Sequence, residues 1–299
     1  MTKNVLCLDG GGVRGMSLVS FLQSAEQEFG KKTVDAFDLF AGTSIGAIAT
    51  AGLVANMFSA QEVMDMVCVK GDIATIFDSP SIISRWTFNG PKHTGVGKRQ
   101  IINKWIPDLK CSELAKPILI PTYNFTNSCP RLYSKDMTPE VNIRDVVDAS
   151  SAAPILFPPV KVPPENNWEG DGGIFANNPS MIGLLEARRL WGDEEIRILS
   201  IGTGKTKYDI DGEKACSWGP LSWYNNNILD ILMTSPMQMM QENCTRMLGD
   251  KYIRIDADLK AYDIPETMDD ISDELREKLD AMGADMFTKH KDLISSFYT

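Results

Sequence analysis

Near its start the chain twice runs from a short apolar segment of strand type, through a glycine-framed turn, into a stretch of helical composition. Asn4-Val5-Leu6-Cys7-Leu8 leads into Asp9-Gly10-Gly11-Gly12-Val13-Arg14-Gly15, and Phe37-Asp38-Leu39-Phe40-Ala41 leads into Gly42-Thr43-Ser44-Ile45-Gly46 and the helical run Ile45 to Met57. A strand that returns through a helix to a second strand builds a parallel pair, because parallel neighbours need a long crossover. Further strand-like runs at Ile118 to Tyr123 and Ile196 to Ile201 continue the alternation, which predicts an α/β chain with a mostly parallel central sheet. No Pro-rich, Gly/Ser-rich or low-complexity linker interrupts the 299 residues, so residues 1–299 read as one domain.

The second turn places Ser44 at a strand-to-helix corner. Glycines two residues to either side allow a turn sharp enough to expose the hydroxyl, which is the logic of a nucleophile elbow. A helix N-terminus there also directs amide groups and the positive end of the dipole at a developing oxyanion. The first turn offers consecutive backbone N–H groups of Gly10, Gly11 and Gly12 to an anion. Two nucleotide-binding readings compete. Gly10-x-Gly12-x-x-Gly15 with Asp35 fits the spacing of a dinucleotide fingerprint, yet Asp35 precedes its apolar run, whereas a ribose-binding acid ends the second strand. Gly202-Thr203-Gly204-Lys205-Thr206 resembles the end of a phosphate loop, but Leu199 stands where its first glycine belongs.

A nucleophilic serine needs a base, and the chain has only two histidines, His93 and His290. Both read as ordinary solvated side chains, one in a loop and one on a surface helix. A carboxylate is the better candidate, and Trp168-Glu169-Gly170-Asp171-Gly172-Gly173 supplies Asp171 among glycines that permit close approach. Asn178-Pro179-Ser180 predicts the start of the next helix, with Asn178 as cap and Pro179 at the first helical position.

These residues, together with Ala149-Ser150-Ser151-Ala152-Ala153-Pro154 and Phe157-Pro158, resemble the patatin-like phospholipase family, in order and spacing from residue 9 to 173. Weaker similarity continues through Ile198 to Gly204 and Lys251 to Ile255. The resemblance implies a three-layer α/β/α patatin-like fold and a dyad of Ser44 and Asp171 without histidine. It also implies hydrolysis of acyl esters of glycerophospholipids through an acyl-enzyme, with the oxyanion held by Gly10, Gly11 and Gly12. Arg14 is then a candidate to bind lipid phosphate or to brace the loop. Acyltransferase or general esterase chemistry at the same site is the alternative, with a dinucleotide-binding protein as the rival from another class. No cofactor is implied, and a Ser-Asp dyad works only if the carboxylate is kept dry and within hydrogen-bond reach of the serine.

A net charge of −10 makes nucleic acid an improbable partner and gives no pull toward anionic membranes. Six cysteines without C-x-x-C spacing, and no secretory leader, favour a reduced cytoplasmic setting and no metal site; contact with membranes is then peripheral, at the surface that presents the acyl-ester substrate. Leu39 to Gln61 carries no charge, but its glycines, Thr43, Ser44 and Asn56 suit a strand plus buried helix rather than a membrane span. Residues 261–299 hold four Lys/Arg against ten Asp/Glu, more than half of the net charge. There Ile264, Met268, Ile271, Leu275, Leu279, Met282 and Met286 form an amphipathic helical stripe expected to pack on the core, with a lipid or partner surface as the alternative. Met233, Met237, Met239, Met240 and Met247 read either as an adaptable acyl-chain wall or as core filling, and core filling is the expectation. Ile73 to Gly97, rich in Gly and Pro, is the candidate lid. Oligomeric state is not legible.

Overall fold

The computed structural model describes residues 2–68, 70–78, 90–207 and 209–299. Strands β1 (Thr2–Leu8), β2 (Leu39–Gly42), β3 (Ile118–Asn124), β4 (Cys129–Ser134), β5 (Val160–Val162), β6 (Asn167–Asp171), β7 (Glu195–Ile201) and β8 (Tyr252–Ile255) form one sheet. Its order is β5-β6-β3-β2-β1-β7-β8, with β4 also on β3. The pairs β2–β3, β1–β2, β1–β7 and β7–β8 are parallel, while β4, β5 and β6 add an antiparallel margin.

The sheet is covered on both faces. Along β1 the pleat sends Leu6 and Leu8 to one core and Val5 and Cys7 to the other, the period of two that a doubly covered strand requires. The first core is closed by α1 (Gly15–Phe29), α2 (Ile45–Ala55) and the C-terminal α8 (Asp273–Tyr298); the second by α5 (Ser180–Trp191) and α7 (Ile228–Leu248). Between them in sequence run α3 (Val96–Trp105), α4 (Ile143–Ser150) and α6 (Pro220–Asn225). This is the expected three-layer α/β/α arrangement.

The charge-free run Leu39 to Gln61 is β2 followed by the buried α2 and the start of the next helix. Among the described residues no helix is long and apolar enough to cross a membrane. The C-terminal stripe is helical only from α8 onward, where Leu275, Leu279, Met282 and Met286 are buried on α1 and Ser20 Oγ donates to the Asp280 carbonyl at 2.9 Å. Ile264, Met268 and Ile271 precede the helix, because Ser272 caps it by accepting from the Leu275 N–H. The methionine cluster overturns its expectation. Met233, Met239 and Met247 are exposed and Met237 and Met240 half-buried, since α7 lies outside α5 and turns only one edge, through Cys244, to the core. Of the candidate lid, Ile73 to Ile76 is helical and Gly90 to Gly95 forms a turn before α3; residues 79–89 lie outside the described residues.

Candidate active site

β1 and β2 run in parallel with Leu8 opposite Gly42, so both glycine turns emerge at the same end of the sheet. Ser44 stands between β2 and α2 with φ 56° and ψ −120°, a strained conformation for a residue with a side chain. The corner closes because Gly42 and Gly46 have no side chains. A Cβ on Gly42 would lie 2.3 Å from the Gly46 carbonyl oxygen, and one on Gly46 would lie 2.2 Å from that of Leu8. Outside the corner, Thr43 Oγ1 donates to the Ala176 carbonyl at 2.7 Å and the Ser44 N–H donates to Ser150 Oγ at 3.2 Å. Ser150 in turn donates to the Pro121 carbonyl, so the motif Ala149 to Pro154 braces the elbow from α4.

Asp171 reaches Ser44 through a hand-off in the sheet. β3 pairs β2 through Ile118 and Leu119, then pairs β6 through Thr122 to Asn124, with Thr122 opposite Asp171. The last residue of β6 is thereby delivered to the end of β2. Glu169, two residues earlier, pins β6 by accepting from Thr122 Oγ1 at 2.5 Å and Tyr133 Oη at 2.8 Å. Asp171 accepts from the Gly173 N–H at 2.7 Å and shares the cavity wall with Ser44. Burial raises its carboxyl from 3.8 to about 6, opposed by the nearby Ser44 side chain, the Gly173 N–H and Lys98.

Lys98 was not visible as a site residue in the sequence. It projects from α3, is buried, and contacts the Asp148 carboxylate at 3.0 Å, the Asp148 carbonyl at 2.6 Å and Ser151 Oγ at 3.1 Å, with its ammonium 4.8 Å from the centre of the Phe157 ring. Burial pulls its pKa down and Asp148 opposes that.

The first glycine loop rests on a buried ionic base. Arg254 on β8 holds both oxygens of Asp9, at 2.8 and 2.6 Å, and also Ser200 Oγ and Asp256. Thr203, in the turn after β7, donates to the Gly10 carbonyl at 2.7 Å, so the segment resembling a phosphate loop is a buttress. Gly11 and Gly12 line the cavity beside Ser44. Gly10 is placed otherwise than expected: its N–H donates to the Asn177 carbonyl at 3.1 Å and faces away from an oxyanion role. Gly12 has φ 59°, and Met268 from the segment before α8 covers it, its carbonyl accepting from the Val13 N–H at 2.9 Å. Arg14 is 9% exposed and its Nε donates to the Gly11 carbonyl at 3.4 Å. It is not among the described residues that line the cavity.

The dinucleotide reading fails on topology. Asp35 precedes β2, at the opposite end of that strand from the glycine turns. Neither histidine meets Ser44 or Asp171 in the described contacts. His93 departs from its solvated expectation: it is buried against Phe77 and Phe157, with Nδ1 at 2.8 Å from the Asp78 carbonyl and Nε2 at 2.8 Å from Asp269. His290 Nδ1 lies 2.7 Å from the Met286 carbonyl within α8. The predicted cap after Asp171 shifts by one residue: Asn178 Oδ1 accepts from the Ser180 N–H at 2.9 Å, but Pro179 occupies the cap itself.

From Ser44 and Asp171 a cavity runs inward between α2, α3 and the helix that precedes α3. Ile48, Ile73, Ile101, Ile102, Leu156 and Phe157 line it. An apolar cavity headed by a hydroxyl, a buried carboxylate and the loop glycines Gly11 and Gly12 suits a long hydrocarbon chain with its carbonyl at the polar end.

A family model for patatin-like phospholipase matches residues 6–184. Patatin-like protein 1 of Arabidopsis thaliana is 29% identical, over 95% of this chain and 81% of that protein. The cGAMP-activated phospholipase of Escherichia coli (strain TW11681) is 28% identical, over 93% of this chain and 87% of that protein. Among solved structures, VipD from Legionella pneumophila matches with a TM-score of 0.58 and 16% identity, covering 97% of this chain and 66% of that one.

Proposed function

The chain belongs to the patatin-like phospholipase family, and from that premise we propose that it cleaves fatty-acyl esters of glycerophospholipids with Ser44 as nucleophile and Asp171 as general base. One observation carries the reading: Ser44 on its strained corner and the buried Asp171 carboxylate stand together at the polar head of an apolar cavity, near enough for the serine to act on the carboxyl's pKa. Asp171 takes the Ser44 proton as Oγ attacks the ester carbonyl. It returns that proton to the departing lysophospholipid alkoxide, leaving an acyl-enzyme that water cleaves with Asp171 again as base. The N–H groups of Gly11 and Gly12 hold the oxyanion, each worth about 3 kcal/mol in comparable sites. Arg14 braces this loop through the Gly11 carbonyl. Residues 1–299 act as one domain, since Met268 and α8 complete the wall around Gly12 and the α1 face.

The test is fatty-acid release from phosphatidylcholine vesicles together with labelling by a fluorophosphonate. Wild type is expected to release fatty acid and to gain the reagent mass on Ser44, and Ser44→Ala to do neither. His290→Ala is expected to stay within twofold of wild type. Labelling at any other serine, or release by Ser44→Ala, overturns the reading.

Lys98 gives a second check. It is the cation that opposes the upward push of burial on Asp171, so Lys98→Met is expected to move the acid limb of kcat/KM upward by roughly one pH unit. An unmoved limb, with the enzyme folded, removes Lys98 from the electrostatics of the base.

A further inference from the structure

We infer that α6 and the first half of α7 form a membrane-docking face that seats the mouth of the cavity on a lipid surface without net negative charge. The inference rests on the phospholipase reading and adds the surface from which substrate enters. Ile231 to Gln241 contains no charged residue, yet it is not core: Leu232 is 62% exposed and Met239 59%. At 3.6 residues per turn, Leu232, Met233, Pro236, Met239 and Met240 fall within one arc of about 120°. The adjoining α6, in contact with α7, presents Leu221, 72% exposed, and Tyr224, 63% exposed, and carries Trp223 in an edge-to-face pair with Trp218. Aliphatic side chains flanked by Tyr and Trp are the composition of a helix lying in the headgroup boundary.

Continuity with the site identifies what covers the face. Met233 is 41% exposed on this arc and also lines the cavity that holds Ser44 and Asp171. One turn further, the Met237 sulfur accepts from Asn177 Nδ2 at 3.2 Å, and Asn177 is itself a cavity residue. The apolar wall therefore runs from the nucleophile to the outer surface along one side of α7. An acyl chain leaving a bilayer through that wall never crosses water, whereas a protein partner on the same arc would shut the mouth. The chain's net charge of −10 repels anionic headgroups, so attraction to the surface comes from apolar burial rather than Coulomb forces.

The test uses the full chain carrying Ser44→Ala, sedimented with phosphatidylcholine vesicles, with and without Leu232→Asp plus Met239→Asp. The pair lies outside the catalytic residues, and in the active enzyme hydrolysis of a soluble short-chain ester reports that the site is intact. The expected result is co-sedimentation that falls at least tenfold with the two aspartates, a matching fall in fatty-acid release from vesicles, and unchanged hydrolysis of the soluble ester. Equal sedimentation with and without the aspartates, or none in either case, overturns the docking face. So does a lipid-free dimer that the aspartates split, which makes the face a contact between copies. Sedimentation lost with the aspartates, while the active enzyme cleaves neither substrate, sustains the docking face and instead overturns the phospholipase reading.

Discussion

Asp171→Asn is expected to lower kcat/KM by about 10³-fold while making the folded protein more stable above pH 6. Both effects have one origin. The carboxylate is buried at the end of β6 and its pKa sits at about 6 rather than 3.8, so the folded state binds a proton there more tightly than the unfolded chain does. A raised carboxyl costs nothing below pH 3.8, costs progressively more as pH rises from 3.8 to 6, and above that costs about 3 kcal/mol. The asparagine still accepts from the Gly173 N–H but cannot take the Ser44 proton, and its amide needs a new acceptor. A net gain of about 1–2 kcal/mol at pH 8, shrinking toward nothing near pH 4, is therefore expected in urea unfolding. Wild-type kcat/KM is expected to fall on the acid side with a midpoint near 6, where the base becomes protonated. Activity within tenfold of wild type ends the base role; lower stability at pH 8 ends the account of a dry, ionised carboxylate.

The two turns that carry Ser44 and Asp171 were legible in the sequence because their cause is local, whereas the burial that raises the carboxyl is made by the fold. Gly42, Gly46 and the glycines around Asp171 mark places where backbone passes backbone too closely for a Cβ, and such constraints are written in consecutive residues. The same holds for β1, β2, β3 and β7, whose apolar runs lie within a residue or two of the observed strands. Lys98, Glu169 and Arg254 were not legible as supports, because each acts through partners far away in the chain, and nothing near them signals burial. His93 misled for the same reason: a loop of Gly, Pro and Lys reads as solvated, and only the fold brings Phe77, Phe157 and Asp269 around the ring. Met233 to Met247 show the limit of periodicity. A helical repeat of apolar residues establishes an arc, but the direction in which that arc points depends on which side of α7 meets α5.

Arg254→Met is expected to be the most destabilising single change, by about 3–5 kcal/mol, and far worse than Asp9→Asn. The guanidinium is the common partner of Asp9, Asp256 and Ser200, with Asp9 wholly buried. Even with Arg254 in place, burial holds the Asp9 carboxyl at about 6, so desolvation already outweighs the attraction. Removing the cation leaves two buried carboxylates facing each other, and they must take up a proton or draw in water. Asp9→Asn leaves Arg254 still paired with Asp256 and removes a charge that burial disfavours. The signs then differ with pH. The Arg254→Met protein regains stability as pH falls through the raised carboxyl range and loses more as pH rises to 8, whereas Asp9→Asn stays nearly level across the same window. Denaturant midpoints at pH 6 and pH 8 separate the two. Because Asp9 is the first residue of the loop that carries Gly11 and Gly12, Arg254→Met is also expected to lower kcat while Ser44 remains reactive to a fluorophosphonate. Equal destabilisation by the two substitutions, independent of pH, means that packing rather than charge balance holds the loop on β8.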